Sequence, residues 1–166
     1  MPSTYEPIAT NTLGVDTATV TFSSIPQTYT DLVLVCNVTR SGSPSGGYFS
    51  IRYNSDSATN YSATLLYGDG ASAASLRVSN ETSGRIGNAS GAAGSWSPTI
   101  VNIMNYTNTT TFKTSVSRMN ATGVYVGSYV TLWRKTPEAI NSLSIFNDVG
   151  NFYAGSTFTL YGIKAA

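Results

Sequence analysis

The residues of this chain that could carry acid–base chemistry are Asp16, Asp31, Asp56, Asp69, Glu81, Glu138 and Asp148. Glycoside cleavage needs two carboxyl groups facing each other across the scissile bond. Here they are scattered, and most stand beside Gly, Ser or Asn, where Asp commonly caps a turn. The sequence contains no His, which removes the usual general base at neutral pH and the commonest metal ligand. The single cysteine, Cys36, allows neither an intrachain disulfide nor a thiolate zinc site within one chain. Within Leu32-Val33-Leu34-Val35-Cys36 it reads as a buried hydrophobe rather than a reactive thiol. Ser-His-Asp and Cys-His arrangements cannot be assembled. Asn54-Ser55-Asp56 and Gly68-Asp69-Gly70 could offer oxygens to calcium, but neither has the spaced acidic pattern of a specific loop. The glycine-rich stretch Ser83 to Gly94 follows no clear strand, lacks a phosphate-binding lysine and reads as loop. No catalytic residue, metal or cofactor is expected.

The remaining candidate is an aromatic stripe. In Val124-Tyr125-Val126-Gly127-Ser128-Tyr129-Val130-Thr131-Leu132-Trp133, alternation separates Val124, Val126, Val130 and Leu132 from Tyr125, Tyr129 and Trp133. With the aliphatic residues facing the core, the three rings face outward on a sheet. They could stack on sugar rings or form a subunit interface. Two alternatives stay open: the rings cover a second core layer, or a bulge at Gly127 resets the parity.

The elements that must position such a stripe are strands. The chain has 166 residues, enough for one well-filled core and too few for two. Charged residues make up only 10%, and Ser, Thr, Asn and Gly stand in their place. With 11 Tyr, 6 Phe and 2 Trp the chain does not have the composition of disorder. It suits strands with neutral, hydroxyl-rich outer faces. Strands are expected at Thr17–Phe22, Asp31–Val38, Tyr48–Tyr53, Tyr61–Tyr67, Thr99–Tyr106, Thr111–Arg118, Gly123–Arg134, Ala139–Phe146 and Phe152–Ile163. Ala71 to Ser97 reads as one or two short strands within long loops, with a helical turn possible at Ala71–Leu76. The fold class is therefore all-β, a single-domain β-sandwich, jelly-roll-like. The net charge of +1 and the lack of a basic run longer than Arg134-Lys135 exclude a nucleic-acid groove. No stretch reaches the length of a membrane span. The N-terminus shows no basic region followed by an apolar core, so no signal peptide is expected.

Tyr5-Glu6-Pro7-Ile8-Ala9-Thr10, Val20-Thr21-Phe22-Ser23-Ser24-Ile25-Pro26, Tyr29-Thr30-Asp31-Leu32, Tyr53-Asn54-Ser55-Asp56, Asn60-Tyr61-Ser62 and the closing Gly155-Ser156-Thr157-Phe158-Thr159-Leu160-Tyr161-Gly162-Ile163 carry a resemblance. As a set they resemble small β-rich virion proteins of tailed bacteriophages. The resemblance implies a structural subunit of the virion, assembled in the host cytoplasm. It would decorate the capsid or serve as a tail adaptor or fibre subunit. Its partners would be other virion proteins, and it would be a homo-oligomer, expected as a trimer. The family supplies no catalytic residues. Residues 1–14 are then expected as an extended N-terminal attachment arm and 15–166 as the sandwich. Two rival readings stand beside it. One is a host-glycan-binding module of the tail, using Tyr125, Tyr129 and Trp133. The other is a small glycan-degrading enzyme, which requires two close carboxylates in a cleft. A single jelly roll also requires Val20-Thr21-Phe22 and Phe158-Thr159-Leu160 to share one core.

Overall fold

Alternating apolar residues and turn-forming Gly, Asn, Asp and Pro divide the chain into short strands, and the computed structural model, which describes residues 4–41, 47–89, 95–123 and 125–164, shows them assembled. They are β1 (Tyr5–Thr12), β2 (Thr19–Phe22), β3 (Asp31–Val38), β4 (Gly47–Tyr53), β5 (Tyr61–Gly68), β6 (Ala73–Glu81), β7 (Gly84–Ala89), β8 (Ser97–Ile103), β9 (Lys113–Ala121), β10 (Tyr125–Trp133), β11 (Leu143–Asn147) and β12 (Thr157–Ile163). An eight-stranded sheet runs β1-β12-β3-β8-β9-β10-β5-β6, and a four-stranded sheet runs β2-β11-β4-β7. Every pairing within these sheets is antiparallel. The two sheets pack face to face as a jelly-roll-like sandwich. Among the described residues no helix is long and apolar enough to cross a membrane.

One core lies between the sheets. Val20 and Phe22 enter it from the small sheet, and Phe158 and Leu160 from the large one, as the single jelly roll requires. In β3 the residues Leu32, Leu34, Cys36 and Val38 point into this core and are fully enclosed. Burial pushes the Cys36 thiol pKa far up, so Cys36 behaves as a small hydrophobe.

The inner face of β9 is polar: Lys113, Ser115 and Ser117 are buried, while Val116 lies on the outer parity. The reason is aromatic volume opposite. Tyr53, Tyr61 and Trp133 form one ring cluster, with centroids 5.4 to 6.3 Å apart. Small serines leave room for these rings, and the Tyr53 hydroxyl donates to Ser115 Oγ at 2.9 Å. A buried phenol needs such a partner.

Three expectations change. The segment expected as an attachment arm forms β1, hydrogen-bonded along β12 from Tyr5 opposite Ile163 to Thr12 opposite Thr157. The side of its backbone that faces β12 is paired in its own sheet, so it is an edge strand rather than a projecting arm. The Ala71–Leu76 stretch takes no helical turn; β6 covers most of it by pairing along β5. The glycine-rich stretch is strand from Gly84 to Ala89, because its glycines admit large neighbours. A Cβ on Gly87 would lie 2.4 Å from the Phe49 ring, and one on Gly84 2.4 Å from Thr131. Residues 90–94 of that stretch lie outside the described residues.

Candidate functional site

The structure divides the aromatic stripe and turns it inward. Tyr129 is 3% exposed and Trp133 2%, whereas Val126 is 59% exposed and Val130 42%. The register of β10 against β5 and β9 is unbroken through Gly127, so no bulge resets the parity. Val126, Val130 and Leu132 lie on the outer parity and the rings face in, the reverse of the expected solvent-facing stripe; Val124 lies outside the described residues. The physical reason is volume and bonding. The serines of β9 and Ala63 of β5 leave space on the inner side for large rings, and the polar tips of those rings find fixed partners there. Trp133 Nε1 donates to Asp56 Oδ2 at 2.6 Å. The Tyr129 hydroxyl donates to Asn88 Oδ1 at 2.8 Å.

Tyr125 is the exception. It lies at the start of β10, near the rim of the large sheet, and is half-buried. Its ring packs on Tyr67 of β5, centroids 4.9 Å apart and tilted by 46°. Burial, followed by the neighbouring Tyr67, raises the Tyr125 pKa, so its hydroxyl remains neutral.

Tyr125 also lines an open depression of about 460 Å³ with Gly68, Asp69, Gly70, Asn120, Ala121, Gly123 and Val126. Two hairpin turns build it. The β5–β6 turn passes through Gly70 at φ +91°, and the β9–β10 turn through Gly123 at φ +76°. Both glycines take the left-handed conformation that L side chains rarely adopt, and a Cβ on either would meet only open space.

Asp69 fixes the first turn. Its Oδ1 accepts from the backbone N–H of Ser72 at 2.7 Å and of Ala71 at 2.9 Å. These bonds hold its carboxyl below the usual carboxylate range. Its Oδ2 accepts from the Ser72 hydroxyl at 3.3 Å and, as a carboxylate oxygen, has further accepting capacity. Asn120 also lines the depression, is exposed, and offers both an amide donor and an acceptor. The site thus combines an aromatic ring, an amide, a carboxylate and two glycine-containing turns, a set that suits polyhydroxylated ligands.

The other carboxylates hold the fold. Asp56 is raised by burial, but bonds from Asn60, Trp133 and Ala58 more than offset this and lower its pKa. Glu138 accepts from Asn54 at 2.9 Å and from Lys135 at 3.0 Å, and the Asn54 bond leads in lowering its pKa. Asp56 and Glu138 are close enough to interact, yet both are held ionised, so neither offers the proton a glycosidase acid must donate. Asp148 pairs with buried Arg40 at 2.7 Å. Asp31 and Asp16 accept backbone N–H bonds from Asn105 and Ala154. Glu81 contacts Arg85. No group of three or more metal-ligating side chains occurs among the described residues.

Sequence reasoning singled out Tyr125 but missed Tyr67 and Asn120 as its companions, and it took Asp69 for a turn cap or calcium oxygen. The signal was present in two tyrosine-bearing strands ending in turns, Tyr67-Gly68-Asp69-Gly70 and Asn120-Ala121-Thr122-Gly123 ahead of Tyr125.

No protein-family model matches the chain, and no curated protein matches it. Among solved structures it is similar to the Ruminococcus gnavus IT-sialidase CBM40 bound to α2,6-sialyllactose, at 7% identity and a TM-score of 0.38 over 97% of this chain and 95% of that one. It is similar to toad ovary galectin in complex with thio-digalactose, at 11% identity and a TM-score of 0.39 over 86% and 98% of the two chains. It is similar to the Caenorhabditis elegans galectin LEC-6, at 8% identity and a TM-score of 0.34 over 94% and 96%. These are likenesses of fold. They correct the virion reading: the chains similar in fold are galectins and carbohydrate-binding modules, among them the CBM2 module of the Lactobacillus casei BL23 phage J-1 evolved Dit. The terminal blocks that carried the phage resemblance are the closing strands of the sandwich. Capsid decoration, tail adaptor or fibre roles, a trimer and virion-protein partners fall with it. The chain is an all-β, jelly-roll-like sandwich, similar in fold to lectins and carbohydrate-binding modules.

Proposed function

We propose that the chain is a glycan-binding module whose site is the rim depression between the β5–β6 and β9–β10 turns. The observation that carries this reading is the convergence of the Tyr125 ring, braced by Tyr67, with Asp69 and Asn120 around one open depression. A sugar presents apolar C–H patches and a fan of hydroxyls. The aromatic ring takes the patch, while the amide and the carboxylate take hydroxyls. Asp69 is already fixed by its turn bonds, so little ordering is needed on binding. The fold alone would not support this reading, since one fold hosts many functions.

A glycan array followed by calorimetry tests the proposal. Asn120→Ala removes an exposed side chain, and we expect it to weaken binding roughly tenfold with the melting temperature unchanged. Tyr125→Ala should weaken it about a hundredfold. Glycan binding that survives both substitutions would place the site elsewhere. Absence of binding to any arrayed glycan would remove the function itself.

A further inference from the structure

Four strands end the two sheets: β1 and β6 in the large one, β2 and β7 in the small one. An open edge presents unpaired backbone N–H and C=O groups that can pair with another chain, and folds guard against this. Three of the four edges are guarded. β2 has only 4 residues. β7 is largely buried, and its Arg85 carbonyl accepts from the Thr131 hydroxyl. β1 carries Pro7, and its register against β12 shifts between Pro7 and Ala9. On β6, by contrast, Ala73 to Ser79 contains no proline and pairs with β5 without a shift. Ala73 to Arg77 is exposed throughout. Leu76, 48% exposed, is the large apolar side chain at its centre.

The backbone of this stretch faces outward in a fixed alternation. The Asp69 N–H donates to the Ser72 carbonyl at 3.2 Å, closing the β5–β6 hairpin. Bonded and non-bonded pairs then alternate along an antiparallel ladder. With Leu65 opposite Leu76 and Thr64 opposite Arg77, Leu76 turns its N–H and C=O to β5. Ala73, Ser75, Arg77 and Ser79 turn theirs to the open edge.

The side chains select the partner and the register. Arg77 is the one charged residue from Ala73 to Ser79, so a second copy of this edge meets no row of like charges. A two-fold axis at Leu76, the midpoint of the regular stretch, sets Leu76 against Leu76, Ser75 against Arg77 and Ala73 against Ser79. Moving the axis to Arg77 sets the two guanidinium groups against each other and brings Asn80, at φ +58°, into the ladder. Moving it to Ser75 shortens the pairing and separates the leucines.

We infer that β6 is a self-association edge: two copies of this chain join β6 to β6, antiparallel, about a two-fold axis at Leu76. Each Ser75 exchanges backbone bonds with Arg77 of the other copy, and the two Leu76 side chains pack on each other. The two large sheets merge into one. The β5–β6 turns lie at opposite ends of the joined strands, about 20 Å apart. The pairing does not depend on the glycan-binding reading; where that reading holds, the dimer presents two depressions.

The experiment is analytical ultracentrifugation of the full chain from micromolar to millimolar concentration, with thermal unfolding recorded for each variant. A single strand pair is a small interface, so wild type should become a dimer in the upper part of that range. Leu76→Lys sets two ammonium groups against each other at the axis. It should weaken dimerisation at least about tenfold, with the melting temperature unchanged because Leu76 is exposed. Leu76→Cys, oxidised at a concentration where wild type pairs, should form a disulfide-linked dimer. A non-bonded antiparallel pair brings its Cα atoms to about 4.5 Å, within disulfide range. Ser79→Cys, which faces Ala73 of the other copy, should not cross-link. Cys36 is buried and takes no part. Should Leu76→Lys unfold, the two cysteine variants carry the test. Wild type that stays monomeric at every concentration would overturn the inference. So would a trimer or larger assembly, a Leu76→Lys dimer as strong as that of wild type, or equal cross-linking of Leu76→Cys and Ser79→Cys.

Discussion

Tyr129 of β10 donates its hydroxyl to Asn88 Oδ1 of β7 at 2.8 Å, a direct polar tie between the two sheets. Both residues are buried, and burial pushes the Tyr129 pKa far above its ordinary value. The bond fixes the edge strand of the small sheet over the inner face of β10. Tyr129→Phe removes it and leaves the Asn88 oxygen without this donor. We expect a loss of about 1–3 kcal/mol of stability, read by urea unfolding, with glycan affinity unchanged because Tyr129 does not line the depression.

Trp133 lies at the other end of β10 and is part of the core. Trp133→Ala should cost about 3–5 kcal/mol through the cavity it leaves among Tyr53 and Tyr61. Loss of ligand binding in this variant would report unfolding rather than a lost contact. Trp133→Phe is the more informative change, because it removes the bond to Asp56 while keeping a ring. Asp56 has a lowered folded-state pKa despite its burial. Its contribution is therefore present above the unfolded carboxyl pKa and is lost as pH falls through the folded one. Stability of Trp133→Phe should fall less steeply with acid than that of wild type. Identical acid slopes would contradict the tie.

Gly127 lies where β10 meets β5 and β9. A Cβ there would sit 2.6 Å from the Leu66 carbonyl oxygen and 3.0 Å from the Tyr67 Cβ. The first of these is backbone and cannot swing aside. Gly127→Ala should destabilise the fold by about 1–3 kcal/mol. It should also weaken glycan binding, because the displaced strand carries Tyr67, the brace of Tyr125. Unfolding midpoints and calorimetry on the same sample check both effects.

Asp69 gives the site its pH dependence. Backbone bonds from Ser72 and Ala71 lower its pKa. The β5–β6 turn is thus anchored above the ordinary carboxyl pKa and released as pH falls through the lowered one. Binding should stay flat from about pH 8 to about pH 5 and fall only in stronger acid. Carbon-13 titration of the Asp69 carboxyl should show a midpoint below that of a model peptide. A midpoint above it would contradict the turn geometry.

Much of the fold was legible in strong local patterns. Asp31–Val38 is strand over the expected span because its apolar run is bounded by turn residues. β6 and β7 read only as one or two short strands within long loops, because Ala, Ser, Gly and Asn give no clear alternation there. Those strands are held by pairing with β5 and β4, a long-range cause that a local pattern does not display. The orientation of β10 was misjudged for a related reason. Both of its parities are apolar, so facing could be decided only by its neighbours. The deciding neighbour is the serine-rich face of β9 in the same sheet, which reads as solvent-facing in isolation. Tyr125 was legible as a candidate from residue type. Its pairing with Asp69 and Asn120 was not, because the topology brings together two hairpin turns about fifty residues apart in the chain.

Amide chemical-shift mapping during titration with a glycan selected from the array tests the central claim most directly. The account predicts that shifts concentrate at Asp69, Gly70, Asn120, Gly123 and Tyr125, saturate together, and need roughly tenfold more ligand to saturate in Asn120→Ala. Saturating shifts centred elsewhere, on the outer sheet around Val35 or near Trp133, would contradict it.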